Sequence, residues 1–193
     1  MTPTFDPKTA ALLVMDFQNS TVQMLDTGKD ALLARTATLI ESARKAGVRI
    51  VYVVVGFRAG HPEVGPRNRL FASIRESGRL GEGSAEVQVH ATVAPKPGDI
   101  VVTKHRVSAF AGTDLDMILR ASGIDTLILS GIATFGVVLS TLCHAADADY
   151  RLVVVEDCCA DFDPEVHRVL TEKVFPWQAT VTKSNEVLAA LAR

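Results

Sequence analysis

Three features that could do chemistry each follow a short apolar segment of the sequence. In chain order they are Asp16, Lys104 and the turn Gly131 to Val137, which follow apolar segments at 10–15, 99–103 and 124–130. A carboxyl group can donate or accept a proton, an ammonium group can hold a negative charge, and free N–H groups at a helix start can bind an anion. Open α/β sheets bind ligands at the carboxyl ends of their strands. The sequence therefore predicts one active site, provided that the three segments are parallel strands.

Apolar segments and helical patterns alternate along the chain, and this predicts the elements that must position these residues. Strands are predicted over 10–15, 48–55, 99–103, 124–130, 151–156 and 178–182. Helices are predicted over 30–46, 113–121, 142–150, 164–175 and 185–191. The alternation is typical of a six-stranded, mostly parallel sheet with helices on both faces, an α/β fold arranged as a Rossmann-like three-layer α-β-α sandwich. We expect a single domain over residues 1–193.

The stretch from Gly56 to Gly83 is rich in glycine and proline and shows the least regular pattern. It predicts a long functional loop with one short helix, where residues that select the substrate would lie. Arg58, Arg67 and Arg69 could contact a substrate carboxylate there, although solvated loop arginines are the alternative.

The composition favours a folded protein with a small-molecule partner. Hydrophobic residues make up 48% and charged residues 22% of the 193 residues, and the formal net charge is -2, which gives no basic surface for nucleic acid or an anionic membrane. No dinucleotide-binding G-x-G-x-x-G motif, phosphate-binding P-loop or metal-ligand spacing occurs, so neither a cofactor nor a metal is expected. The apolar segment at 10–15 is too short for a signal sequence or a membrane span, so a cytoplasmic location is expected.

The three cysteines, Cys143, Cys158 and Cys159, form no metal-binding pattern and are expected to be reduced and buried as packing residues. The histidines are scattered without carboxylate partners, so surface or packed positions are expected for His61, His90, His105, His144 and His167. Alternation along the third strand should turn His105 away from the face that Lys104 occupies.

Four motifs, taken in order, resemble the isochorismatase-like hydrolase superfamily. They are D-F-Q at 16–18, K-H-R-V-S-A-F at 104–110, T-D-L at 113–115 and G-I-A-T at 131–134. The resemblance implies a six-stranded parallel sheet flanked by helices. Most members are cysteine amidohydrolases with an Asp-Lys-Cys triad, in which Asp16 and Lys104 match the first two positions.

The third position of that triad is Val137, which has neither a nucleophile nor a proton to give. A lysine and a helix start would favour a thiolate, and that arrangement serves a sulfur atom. The resemblance therefore implies that acyl transfer by the usual route is lost. Cys143 lies farther along the same predicted helix and is turned away from the position of Val137. Cys158 and Cys159 follow a different strand. The hypothesis that one of these thiols replaces the missing nucleophile is therefore weaker.

True isochorismatases offer a second comparison, because they keep the Asp and Lys, carry a small residue at the nucleophile position and cleave a vinyl ether by protonation. On this resemblance Asp16 would be the general acid and Lys104 its charge partner. The candidate substrate-binding residues are Gln18, Phe57, Arg58, Arg106, Ala133, Thr134 and Phe135. The resemblance also implies a cis peptide at Ile132-Ala133, no catalytic metal at 56–58, and a homodimer or larger homo-oligomer.

Three functions stay open on this reading. The first is an isochorismatase-like hydrolase that acts on a small carboxylated metabolite by acid/base chemistry without a cysteine nucleophile. The second is a catalytically silent relative that binds a ligand or serves assembly. The third is a cysteine amidohydrolase with a relocated thiol.

Overall fold

Six parallel strands form one central sheet in the computed structural model, which describes residues 3–192. They are β1 (Ala10–Met15), β2 (Arg49–Val55), β3 (Ile100–Lys104), β4 (Thr126–Ile132), β5 (Arg151–Ala160) and β6 (Thr180–Thr182). Their order across the sheet is β3-β2-β1-β4-β5-β6, and every pairing is parallel. The predicted α/β fold is confirmed.

Seven helices flank the sheet in the described part of the chain. They are α1 (Asn19–Gln23), α2 (Lys29–Lys45), α3 (Arg69–Ser77), α4 (Leu115–Ala121), α5 (Leu139–Asp147), α6 (Pro164–Val169) and α7 (Ser184–Leu191). None of the helices within residues 3–192 combines the length and hydropathy that crossing a membrane requires.

Strand β1 lies at the centre of the sheet and contributes to hydrophobic cores on both of its faces. Leu12 and Val14 pack in the core that contains apolar side chains of α2, whereas Leu13 and Met15 pack in the core that contains those of α4 and α5. Successive side chains of a strand point to opposite faces, so a strand covered on both sides must be apolar throughout. All six residues of β1 are buried, and the strand can end in a charged residue only at its rim.

The strands next to the predicted turn are longer than the sequence pattern indicates. β4 continues to Ile132 and β5 to Ala160, because the two chain segments pair beyond a register shift, with Gly131 opposite Cys159. The predicted helix over 164–175 is also interrupted, since α6 ends at Val169 and a π-helical turn follows. Helix α1 is an element that the sequence pattern did not predict.

The connection between β2 and β3, residues 56–99, contains α3 and is irregular elsewhere, as predicted for its first part. Backbone hydrogen bonds from Asn19 and Ser20 to the carbonyl oxygens of Gln88 and Glu86 attach it to the start of α1. The β2–β3 connection is therefore held against the carboxyl end of β1.

Candidate active site

Asp16 and Lys104 form a buried ion pair at the carboxyl rim of the sheet. Lys104 Nζ lies 2.9 Å from Asp16 Oδ2 and donates a second hydrogen bond, 3.1 Å long, to the carbonyl oxygen of Arg106. The two residues are 7% and 2% exposed. Lys104 stands opposite Val55 in the sheet, so its side chain reaches across β2 to the end of β1. The convergence that the strand ends predicted is present.

The second carboxylate oxygen of Asp16, Oδ1, is buried and has no hydrogen-bond partner among the described residues. Burial raises the pKa of the Asp16 carboxyl, and the charge and hydrogen bond of Lys104 oppose that rise. Asp16 also adopts a left-handed backbone conformation, with φ of 56°, which aspartate tolerates better than most residues. A carboxyl group with one occupied and one free oxygen is suited to exchange a proton with a bound molecule.

The third feature is the turn between β4 and α5. The chain passes through a cis peptide between Ile132 and Ala133, as expected, and then makes one π-helical turn over Thr134–Val138. Gly131 allows close packing, because a Cβ atom there would lie 3.0 Å from the carbonyl oxygen of Met15. The turn therefore presses directly against the end of β1, next to Asp16.

Two side chains of the neighbouring segment hold this turn. Asp161 Oδ2 accepts a 2.7 Å hydrogen bond from the backbone N–H of Phe135, and Thr134 Oγ1 lies 2.8 Å from His167 Nδ1. Burial lowers the pKa of His167, while Asp161 opposes that effect. His167 is therefore stabilised as the neutral imidazole, a form that can accept the hydroxyl hydrogen of Thr134.

A cavity of about 320 Å³ brings these parts together. Its lining is mostly apolar and contains Asp16, Ser20, Thr21, Met24, Val55, Leu70, Phe71, Ser73, Ile74, Arg79, Leu80, Lys104, Val107, Ile132, Ala133, Phe135, Gly136, Val137 and Phe162. A volume near 300 Å³ is at the lower end of the range for small-molecule sites. The cavity can hold a small ligand with the ion pair at one wall.

Five of the candidate catalytic and substrate-binding residues lie in this lining. They are Asp16, Lys104, Ala133, Phe135 and Val137. Val137 is buried and contributes only apolar atoms to the wall. Thr134 is fully buried and bonded to His167, so it supports the turn from behind rather than lining the cavity.

The other predicted substrate-binding residues lie outside the cavity lining. Gln18 is fully buried, and its amide exchanges hydrogen bonds with both backbone groups of Val55 and reaches the carbonyl oxygen of Val87. It therefore connects β2 to the β2–β3 connection. Phe57 is fully buried and stacks on His61.

The two predicted arginines are directed elsewhere. Arg58 pairs with Glu63 at 2.6 Å, with its side chain mostly exposed, and the Arg106 side chain donates to the carbonyl oxygen of His105. His105 itself is turned away from Lys104, as alternation predicts, and its Nδ1 lies 2.6 Å from the carbonyl oxygen of Gly56. Arg67 and Arg69 also lie outside the lining.

The cysteines differ from the prediction in one case. All three are free thiols, but Cys143 is exposed on α5, so its predicted role as a buried packing residue is wrong. The polar, outward face of that helix carries it, while Leu142 and Ala145 face the core. Burial raises the pKa of Cys158 to about 12 and raises that of Cys159 as well. Thiols of this kind stay protonated at neutral pH, and neither lines the cavity with Asp16.

Sequence reasoning missed several residues of the site. Asp161 and His167 hold the turn by hydrogen bonds. Arg79, Met24 and Phe162 line the cavity. Asp161 directly follows β5, whose sequence of apolar and acidic residues is unusually long. That length is the only local signal that could have indicated Asp161. Among residues 3–192, no group of three or more His, Cys, Asp or Glu side chains is placed to hold a metal ion.

Comparison with known proteins identifies the group to which this architecture belongs. Residues 10–186 match the model of the Isochorismatase domain. The chain belongs to the isochorismatase family. An isochorismatase-family protein of Burkholderia thailandensis is 29% identical, with a TM-score of 0.85 and 100% of both chains covered. Membership makes the chain an isochorismatase-like hydrolase by family.

Two further relatives of this isochorismatase-family chain have names that state a reaction. N-carbamoylsarcosine amidase of Thermoplasma acidophilum is 34% identical, with a TM-score of 0.73, and the match covers 92% of this chain and 97% of the amidase. Ureidoacrylate amidohydrolase of Methylobacterium radiotolerans is 30% identical over 213 residues, which cover 97% of this chain and 83% of that protein. Both names describe cleavage of a C–N bond.

Proposed function

We propose that this chain is a hydrolase that cleaves a C–N or ether bond of a small carboxylated molecule by proton transfer at Asp16, without a covalent enzyme intermediate. The observation that carries the proposal is the buried Asp16 carboxyl with Oδ2 on Lys104 and Oδ1 free of partners. Its raised pKa favours the protonated form that an acid catalyst needs. Lys104 limits that rise and keeps the pair able to give up the proton and take it back.

The reaction balances with one water molecule. For a C–N bond, Asp16 gives its proton to the leaving nitrogen, the oxygen of water bonds to the carbonyl carbon, and a proton of that water returns to Asp16 Oδ1. For a vinyl ether, Asp16 gives its proton to the terminal vinyl carbon, which produces an oxocarbenium ion. Water then adds to the ether carbon and returns one proton to Asp16 Oδ1, and the hemiketal collapses to a ketone as its hydroxyl proton passes to the departing alkoxide oxygen. In the turn at 134–138 the N–H groups of Phe135, Gly136 and Val138 already bond to Asp161 and to the carbonyl oxygen of Ala133, so they are not available to meet charge that develops on the substrate.

Val137 supports the absence of an acyl-enzyme. Its side chain lies in the wall of the same cavity as the ion pair and offers no atom that could attack a carbonyl. The buried, high-pKa thiols of Cys158 and Cys159 and the exposed Cys143 do not supply the missing sulfur. The names of the two amidohydrolase relatives favour a C–N bond over an ether.

The test is hydrolysis of a panel of N-carbamoyl amino acids, ureido acids, primary amides and vinyl ethers. On whichever substrate turns over, Asp16→Asn should lower kcat about 100-fold or more, because loss of a general acid typically costs that much. Asp149→Asn is the matched control, since Asp149 also has a left-handed backbone but lies exposed at the opposite end of the sheet, before β5. Full activity in Asp16→Asn would contradict the proposal.

Mass spectrometry of enzyme quenched during turnover distinguishes direct hydrolysis by water from hydrolysis through a covalent enzyme intermediate. The unmodified mass is expected, and a covalent adduct on any residue would overturn the proposed route.

The same apolar wall at Val137 favours a second candidate function, ligand binding without turnover. Turnover of any panel member that Asp16→Asn abolishes would exclude it.

A further inference from the structure

Arg79 is the second cationic side chain in the cavity wall, and it differs from Lys104 in its availability. Lys104 is almost fully buried, and its ammonium group is paired with Asp16 at 2.9 Å. Arg79 lies on the opposite side, after α3, and its side chain is 50% exposed. Among the described residues that line the cavity, Arg79 is thus the cation that an incoming molecule can reach.

The position of Arg79 is fixed by contacts on both sides of its Cα atom. Its N–H donates to the carbonyl oxygen of Ile74, and its own carbonyl oxygen lies 2.7 Å from His61 Nε2. Its Nε donates a 3.0 Å hydrogen bond to Glu86 Oε1, while Glu86 Oε2 accepts from the N–H of Leu80 at 3.0 Å. The guanidinium group is therefore oriented through a single nitrogen.

The two terminal nitrogens of Arg79 make no hydrogen bond within residues 3–192. A guanidinium group presents its N–H donors in a planar fork that matches the two oxygens of a carboxylate. An arginine that is anchored by Nε retains the terminal pair for a ligand. This is the arrangement expected of an anion-binding residue.

Apolar side chains flank the position where the rest of such a ligand would lie. Met24, Leu70, Phe135 and Phe162 all line the cavity and are exposed, although large apolar side chains are usually covered. Phe135 and Phe162 contact each other edge to face, with ring centroids 6.4 Å apart. An apolar ligand body would cover these four side chains.

We propose that Arg79 binds the carboxylate of the substrate and that the substrate carries a compact apolar group beside that carboxylate. The proposal deepens the proposed function, because it takes the cavity with Asp16 as the substrate site. It assigns recognition of the anion to Arg79 and leaves proton transfer to Asp16. Arg58, Arg67 and Arg69, the arginines that the sequence suggested, have no part in it.

Calorimetric titration with phenylacetate and with 2-phenylethanol tests this assignment. The two probes share an apolar ring but differ in charge, and neither has a bond that the proposed reaction can hydrolyse. The wild-type protein should bind phenylacetate about fivefold or more tightly than 2-phenylethanol, as a charge-assisted hydrogen bond implies. Arg79→Met should remove that preference and leave the affinity for 2-phenylethanol unchanged within about twofold. Arg79→Lys, which keeps the charge but loses the fork, should give an intermediate affinity for phenylacetate.

Arg49→Met is the matched control, because Arg49 is exposed at the first residue of β2, at the opposite end of the sheet. It should bind both probes as the wild type does. Equal affinity of the wild type for the two probes, or wild-type affinity for phenylacetate in Arg79→Met, would overturn the proposal. The binding experiment does not depend on turnover. If Asp16→Asn proved fully active, the proposed role of Asp16 as proton donor would fail, but the assignment of Arg79 would still be decided by the titrations.

Discussion

The strand ends that carry Asp16 and Lys104 are held by the ladders of the sheet, whereas the opposite wall of the cavity, from Leu70 to Leu80, consists of α3 and the segment after it and lies outside those ladders. At the strand ends the charged groups are almost fully buried, at 7% and 2% exposure. In the opposite wall Leu70 is exposed and Arg79 is half exposed. A buried, rigid position suits proton transfer, because low dielectric shifts the pKa of a carboxyl. A more exposed wall suits selection among ligands.

The two walls also differ in how their backbone is satisfied. Next to Asp16, parallel ladders join β1 to β2 and to β4. The β2–β3 connection has only scattered backbone hydrogen bonds, such as that from the N–H of Phe57 to the carbonyl oxygen of Leu80. It depends in addition on the side chains of Gln18 and Glu86, which bond backbone groups of Val55, Val87 and Leu80. Sequence changes in the second wall are thus free to alter recognition without disturbing the sheet.

The largest effect is expected from Lys104→Met at the strand ends. It leaves the Asp16 carboxylate buried without its partner, and breaking a buried pair in this way typically costs about 3–5 kcal/mol. The cost should grow as the pH rises and the unpaired Asp16 carboxyl is forced to ionise, and should shrink as the pH falls and Asp16 becomes protonated. Urea denaturation at several pH values measures the free energy of unfolding.

The double variant Asp16→Asn/Lys104→Met is the control for this charge. It should recover much of the lost stability at neutral pH, and its loss relative to the wild type should depend less on pH. In the wild type the pKa of Asp16 is raised on folding, so the protonated carboxyl contributes to the free energy of unfolding. That contribution is fully present below the unfolded pKa of 3.8 and is lost as the pH rises through the folded pKa. Equal stability of the single and double variants at neutral pH would contradict the buried-charge account.

An intermediate effect is expected where the two walls are joined. Gln18→Ala leaves the N–H of Val55 and the carbonyl oxygen of Val87 without their side-chain partner, at a cost of about 2–3 kcal/mol. Hydrogen exchange should show faster exchange at 85–90 than in β1. Gln88→Ala is the matched control, since Gln88 is exposed. Uniform loss of protection over the whole sheet would show that Gln18 does not act locally.

The smallest effects come from two glycines, one adjacent to each wall, and they should differ in sign. A Cβ at Gly131 would lie 3.0 Å from Met15 O and 3.1 Å from Val138 Cγ2, so Gly131→Ala should destabilise by about 1–3 kcal/mol. A Cβ at Gly81 would meet nothing within 4 Å, and Gly81→Ala should stabilise by about 0.4–1 kcal/mol by restricting the unfolded chain. Thermal unfolding of the two variants measures the difference, and a shift of the same sign in both would contradict the contrast.

The strand ends were predictable because a buried parallel strand has to be apolar along its whole length. That requirement makes Ala10 to Met15 recognisable, and it makes the charge of Asp16 conspicuous at its end. Lys104 was found at the end of a second short apolar run, although β3 is an edge strand and is only partly buried. The extension of β4 to Ile132 was not predicted, because it depends on pairing with β5, which is remote in the sequence.

The opposite wall was predictable only as an irregular stretch. Periodicity in the sequence reports burial along one element, but Arg79, Phe162 and Met24 come from three separate segments that meet across a cavity. Arg58 and Arg79 look alike in the sequence, and each forms an ion pair with a glutamate in the structure. They differ in that Arg79 lies in the cavity wall and Arg58 does not.

The sequence by itself determined the alternation of strands and helices, the family motifs, and the placement of Asp16, Lys104 and the turn at Gly131 on one rim, since local burial patterns and chain order suffice for these. Tertiary structure alone decided that Gln18 is a structural brace, that His167 and Asp161 hold the turn, and that Arg79 reaches the cavity. The physical reason is that hydrogen-bond partners and cavity walls are set by contacts between distant segments. No local pattern in the chain encodes those contacts.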